Sequence, residues 1–278
     1  MKVKLSELKE VTEKALSYYG YTDEESEIIM DVMLYAQIRG NNQGIVKLIG
    51  AGMPKNPEAG EIEIKRETKL SALIDGKKNP GMVIMKKAME VCLDKAREQG
   101  FGIVGTFNTN SSTGAIGYYA KKIAEAGFIG FVFSGSPEAV CTYGSYQPIF
   151  ATNPIAISVP TETEPVVLDM ATSAMSWYGL VEAKTAGKSI PNDVAYDSEG
   201  KPTTDPEKAL KGALLPFDRS YKGAGLSMIV EILTGPLVSA AFATIGDTKG
   251  NWGNLVFAID PELLVDKKEF KLTMIFTL

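Results

Sequence analysis

Apolar positions at three- and four-residue intervals open the chain. Leu5, Leu8, Val11, Ala15 and Tyr19 predict a first helix, with Gly20 as its stop. Thr22 followed by Glu25 makes a capping-box pattern, so a second helix starts there. Ile28, Val32 and Ala36 mark its buried stripe, and Gly40 ends it. From Asn41 to about Gly60 the periodicity breaks into GNNQG and MPKNPEAG, a loop region rich in turn residues. Glu61 to Gly76 alternates in short runs and predicts β structure. A helix from about Met82 to Gln99 turns Met85, Ala88, Cys92 and Ala96 inward, with Gly100 as its cap. Strand, helix and strand follow in FGIVGTFN, GAIGYYAKKIAEAG and FIGFVFSG.

Beyond a loop holding Tyr143 and Pro148, the strands IAISVP and VVLDMA flank the polar hairpin TETEP. Residues 172–187 read as helix and 188–206 as loop. GLSMIVEILTGPLVSAAF is an apolar helical stretch interrupted at Gly235–Pro236, and NLVFAID is a late strand. There is no internal repeat. Mixed strands and helices, neither alternating nor segregated, predict an α/β domain beside a smaller helical one.

Composition narrows the function. With 278 residues, 45% hydrophobic and 23% charged, the chain is globular and long enough for a buried core. A net charge of −5 disfavours nucleic acid and anionic membrane as partners, so an anionic substrate needs a local cationic pocket. No apolar stretch reaches the roughly 18 residues of a membrane span, and the N-terminus has no apolar signal core. The two separated cysteines build no disulfide framework, which predicts a reducing compartment, the cytoplasm. Histidine is absent altogether. No metal site is therefore expected, and the commonest acid–base group near neutral pH is missing.

Two segments carry chemistry. No G-x-G-x-x-G run lies between a strand and a helix, since the one at 100–105 (GFGIVG) closes a helix and opens a strand, and no P-loop pattern occurs, so a bound nucleotide needs another cradle. In VVLDMATS a strand delivers Asp169, and Thr172 or Ser173 is expected to start a helix whose free N–H groups favour an anion. Ordinary helix capping is the plainer alternative. In FDRSYKGAGLS, Lys222 lies among small residues, and Gly223 and Gly225 let a phosphate approach. A surface lysine fits the same pattern.

Taken in order, GFGIVGTFNTNSSTGAIGYYA, GFIGFVFSGSP, TNPIAISVP, VVLDMATS, GKPTTDPEKALKGALLPF and YKGAGLSMIVEILTG resemble the type-2, non-Rossmann malate/L-lactate dehydrogenase family, which includes sulfolactate and ureidoglycolate dehydrogenases. The likeness runs from the first helix to about residue 262. It implies an α/β fold, a mixed, largely antiparallel sheet flanked by helices that binds NAD or NADP, with a smaller helical domain. The implied organisation is a helical domain over 1–75, the nucleotide-binding domain over 76–262, and over 263–278 the start of a C-terminal segment returning to the helical domain, cut short here. A homodimer is implied, as is a small anionic 2-oxo or 2-hydroxy acid substrate. Family substrates include malate, lactate, sulfolactate, ureidoglycolate, diketogulonate and cyclic imino acids. Cofactor contacts carry over to Ser136, Asp169, Met170, Ala171, Thr172, Ser173 and Lys222.

The chain departs from the family where the chemistry should be. The family's Arg-Gly, Ser-His-Gly and arginine signature reads here Arg39-Gly40-Asn41-Asn42-Gln43-Gly44-Ile45-Val46-Lys47, one residue short. Gln43 stands for the histidine and Lys47 for the arginine. The second signature, ending His-Phe-Gly, reads Asn110-Ser111-Ser112-Thr113-Gly114. Reducing a 2-oxo acid needs a hydride, a cation for the carboxylate and a proton for the developing alkoxide. Lys47 is expected to be the anchor, though without arginine's fork. Gln43 and Ser112 can hydrogen-bond the oxyanion but do not readily exchange a proton. A buried lysine, Tyr143, or a water held by Asp169 would complete the relay. The expected activity is NAD(P)-dependent interconversion of a 2-hydroxy acid and a 2-oxo acid. An impaired nucleotide-binding paralogue and a keto-sugar or cyclic imine reductase are the alternatives.

Overall fold

The computed structural model describes residues 3–48 and 52–274. Two helices, α1 (Leu5–Tyr18) and α2 (Asp23–Gln37), precede β1 (Glu63–Glu67), β2 (Ser71–Asp75), α3 (Gly81–Gln99), β3 (Phe101–Thr109), α4 (Gly117–Glu125) and β4 (Ile129–Ser134). Then come β5 (Val140–Cys141), β6 (Pro148–Phe150), β7 (Ile155–Val159), β8 (Val166–Met170), α5 (Trp177–Thr185), β9 (Ala195–Tyr196), α6 (Pro206–Ala209) and β10 (Ala213–Leu214). The series closes with α7 (Tyr221–Thr234), β11 (Trp252–Ile259) and α8 (Lys267–Met274).

Seven strands form one sheet in the order β1-β2-β3-β11-β4-β7-β8. Only β2 and β3 run parallel, joined through α3; every other neighbouring pair is antiparallel. The late strand β11 inserts between β3 and β4, so the sheet's centre waits for the end of the chain.

Both faces of the central strands are covered, which is why they read as nearly continuous apolar runs. Successive side chains of a strand point to opposite faces. Along β11, Val256 and Ala258 join a core with Val104, Val132 and residues of α2, α3 and α4, whereas Leu255 packs with Phe133, Val230 and Val238 on the α7 side. At Gly102 an added Cβ would lie 2.2 Å from the Cys92 carbonyl oxygen, so glycine is what lets α3 settle onto β3. A smaller four-stranded sheet, β6-β5-β10-β9, has its own core around Val140, Leu180, Val194 and Leu214. Its strands, two or three residues long, are too short to leave a periodic signal.

The predicted capping box of α2 is present, with Thr22 and Glu25 bonded reciprocally, and Gly100 closes α3 in the left-handed region. In α1 the contact face differs from the expected stripe. Thr12 and Leu16 are buried with Leu8 beside them, while Leu5 and Val11 face solvent. Burial of Thr12 is tolerated because its hydroxyl donates to the Leu8 carbonyl at 2.7 Å.

A second correction concerns residues 172–187, and with it the helix start expected at Thr172 or Ser173. The Thr172 N–H donates to Thr152 O at 2.9 Å and the Ala174 N–H to Leu215 O at 2.8 Å. Donors already spent on neighbouring segments cannot open a helix, so α5 begins only at Trp177, capped by Ser176. Strands β1 and β2, from the stretch grouped above with the N-terminal helices, hydrogen-bond into the large sheet through β3. Residues 49–51 of the expected loop and 275–278 of the expected C-terminal segment lie outside the described residues. Within that segment, Lys267 at the start of α8 pairs with Asp260 and lies over the Phe128 ring.

Candidate active site

Strands β3, β4 and β8 run the same way, with β11 opposed to β3 and β4. Their C-terminal ends and the start of β11 therefore share one edge of the sheet. A cleft of about 900 Å³ opens there. Its wall collects Gln43 from the loop after α2, Ser112 from the loop after β3, Ser136 from the loop after β4 and Asp169, Met170 and Ala171 from the end of β8. Six of the residues expected at the site thus meet, although four separate chain segments supply them.

The remaining expected residues sit elsewhere. Thr172 and Ser173 are buried behind the wall, Thr172 on the Thr152 carbonyl and Ser173 on that of Met175. They hold the 169–171 segment rather than face the cleft. Lys222 lies exposed on the first turn of α7, its N–H bonded to Ser220 Oγ, and does not line the cleft. Tyr143 is also exposed, packed edge-on against Tyr221 away from the cleft wall.

Lys47 is buried, only 4% exposed, beneath the lining. Its Nζ donates to Ser112 Oγ and lies 4.1 Å from the centre of the Tyr178 ring. Among the described residues no carboxylate pairs with it. Burial pulls its pKa down to about 7, because an ammonium loses more solvation than a ring face and a hydroxyl restore. Ser112 Oγ also accepts the Gly114 N–H at 3.0 Å.

Asp169 Oδ2 accepts the Gly117 N–H at 2.9 Å, so the carboxylate from β8 caps the first turn of α4. The residue stands open at the cleft mouth, yet its carboxyl is crowded. Burial there pushes its pKa up, against the pull of the Gly117 N–H.

Several wall residues carry no signal in the hydrophobic pattern. Ser176, Trp177 and Tyr178 place the true start of α5, with its positive dipole end, against the cleft. Asn42 Nδ2 donates to Ser176 Oγ at 2.8 Å and ties that helix to the 41–43 loop. Ser111 and Trp252 also line the cleft, and Ser111 Oγ and Trp252 Nε1 are buried polar atoms without a partner among the described residues. Only the rarity of tryptophan, with two in the chain, could have drawn attention to Trp252.

A largely antiparallel sheet with a cleft at one edge defines a non-Rossmann α/β class. Over residues 3–277 the chain matches the family described as malate/L-lactate dehydrogenase. It belongs to that family and is a hydroxy-acid dehydrogenase by class. The L-sulfolactate dehydrogenase of Methanothermobacter thermautotrophicus is 40% identical to it, with 98% of this chain and 82% of that protein covered. Among solved structures, sulfolactate dehydrogenase of Methanocaldococcus jannaschii superposes with a TM-score of 0.83 at 33% identity, covering 100% of this chain and 83% of that one. Malate dehydrogenase of Pyrococcus horikoshii gives 0.84 at 29% identity, covering 100% and 80%.

Proposed function

We propose that the cleft binds NAD or NADP and interconverts a small anionic 2-hydroxy acid with its 2-oxo acid. The observation that carries this reading is the convergence of Gln43, Ser112, Ser136 and Asp169–Ala171 on one cleft. The cleft's volume lies near the upper end of the usual range for small-molecule sites. The residues present fit a nucleotide. Ser111 Oγ and Trp252 Nε1 are buried donors left for a ligand, and the start of α5 favours an anionic group.

A bound nicotinamide would supply or accept the hydride. Ser136, Met170 and Ala171 would line its berth, with Thr172 and Ser173 fixing that strand end from behind. Gln43 and Ser112 would hydrogen-bond the substrate oxygen that gains charge. Asp169 would hold the mouth of the cleft through its cap on α4. Lys222 stands outside the cleft of a single chain.

The relatives named above act on sulfolactate and malate, which supports a short anionic acid as substrate. Free, buried Cys92 and Cys141 support a cytoplasmic protein. Met228, Ile229 and Ile232, turned outward on α7, support a homodimer.

The test is turnover of NADH and NADPH with sulfopyruvate, oxaloacetate, pyruvate and cyclic imino acids, followed by loss of nicotinamide absorbance. Consumption with one of the open-chain acids is expected. Thermal stabilisation by nucleotide with no turnover would instead identify a binding protein, and turnover confined to cyclic imino acids an imine reductase.

A further inference from the structure

We propose that Lys47 is the proton source and sink of this site, working through Ser112, rather than a charged anchor for the substrate. The inference rests on the dehydrogenase reading above and assigns the step that a chain without histidine leaves open.

Geometry excludes the anchor role. Lys47 lies behind the cleft wall, its Nζ on Ser112 Oγ and against the Tyr178 ring. A carboxylate in the cleft meets Ser112 first. Conversely, Ser112 Oγ has two acceptor positions, and the Lys47 ammonium and the Gly114 N–H fill both. Its own O–H proton has no acceptor among the described residues, and the cleft that Ser112 lines is where one can be found. The result is a directed chain, from Nζ–H to Oγ–H to a ligand oxygen.

In the reducing direction the carbonyl carbon gains a hydride and its oxygen takes the Ser112 proton. Ser112 takes a proton from the Lys47 ammonium, and the neutral amine regains one from solvent after the product leaves. Oxidation runs the same transfers backwards. A serine alone is too weak an acid for this; the amine behind it supplies the titrating group.

The surroundings suit such a group. Tyr178 on α5 is the titratable side chain recorded against Nζ, and burial pushes its phenol up, so it stays neutral. From α1 and α2, which pack on the turn carrying Lys47, no ionic partner reaches it among the described residues. With its pKa drawn to about 7, both forms of the amine are populated near neutrality.

The test compares pH profiles of kcat/KM for wild type, Lys47→Met, Lys47→Arg and Ser112→Ala, with nucleotide binding by calorimetry as the check on folding. Wild-type reduction should decline as pH rises through about 7. Lys47→Met and Ser112→Ala should each lose about 10²–10⁴-fold, chiefly in kcat, and lose that limb. Lys47→Arg should not restore it, since a guanidinium keeps its proton. An anchor would show the opposite, a raised KM in Lys47→Met with the pH limb intact, and that result overturns the proposal. A readout independent of turnover is the ¹⁵N resonance of the Lys47 amine, assigned by its loss in Lys47→Met. Titration near 7 supports the relay, and titration near 10.5 overturns it. Turnover with a limb that survives Lys47→Met sinks the relay and leaves the dehydrogenase reading standing. Absence of turnover with every acid sinks both.

Discussion

Gly117 and Asp169, 52 residues apart, are joined by a hydrogen bond from the glycine N–H to Asp169 Oδ2 at 2.9 Å. The bond fastens the end of β8, with Met170 and Ala171, to the start of α4. A Cβ at position 117 would lie 2.7 Å from that oxygen and 2.9 Å from the Asp169 Cβ. Gly117→Ala should therefore push the cleft wall outward. Overpacking of this kind costs about 1–3 kcal/mol, to be read from thermal denaturation. Nucleotide affinity measured by calorimetry should fall with it, and unchanged affinity would show that the 169–171 segment is not part of the berth.

Trp252 Nε1 is buried in the cleft without a partner among the described residues. Trp252→Phe removes a donor that contributes nothing to the ligand-free fold, so the melting temperature should move little. A ligand that used the donor should bind about three- to tenfold more weakly, the worth of one ordinary hydrogen bond. Equal affinity in the variant would mean that the ligand passes Trp252 by.

Lys47 also sets a pH dependence of stability. Its folded-state pKa of about 7 lies below the ordinary 10.5, so folding opposes its protonation. Below about 7 both folded and unfolded chains carry the proton, and the penalty for burying it is complete; it fades as pH rises to 10.5 and is gone above. At about 1.36 kcal/mol per pKa unit, the full penalty is on the order of a few kcal/mol. Lys47→Met should accordingly stabilise the protein most below pH 7 and least above pH 10.5. Denaturant unfolding across that range checks it, and a gain that is flat with pH would contradict the burial of a charge.

Glu231, buried in α7, accepts from three donors: the Ala151 and Ala243 N–H groups and Asn153 Nδ2, the last at 2.7 Å. Both carboxylate oxygens are used. Glu231→Gln replaces one acceptor by an NH₂ that faces a donor, leaving buried groups unpaired. A loss of about 1–3 kcal/mol in unfolding free energy is expected, with the cleft chemistry unchanged.

How legible the protein was in its sequence depends on the range of each interaction. The capping box at Thr22, the stop at Gly100, the hairpin between β7 and β8 and the break at Gly235–Pro236 are set by residues within a turn of one another, and they stand where the pattern put them. The start of α5 was misplaced because the donors of 172 and 174 are taken by residues 152 and 215, which no local window contains. Likewise the face of α1 follows from the direction in which α2 and the Ile45–Leu48 turn lie, not from the spacing of its leucines.

The site divides in the same way. The order of motifs along the chain was enough to mark Gln43, Lys47, Ser112, Ser136 and Asp169–Ala171, since each signature is a short contiguous run. That Lys47 is buried against Ser112 and not on the cleft lining, that Lys222 stays outside the cleft, and that Trp252 enters it were decided by tertiary structure alone. Burial, and with it the pKa of an amine and the free hydroxyl proton of a serine, depends on which distant segments close over a side chain. No stretch of sequence carries that information until β11 has slotted between β3 and β4.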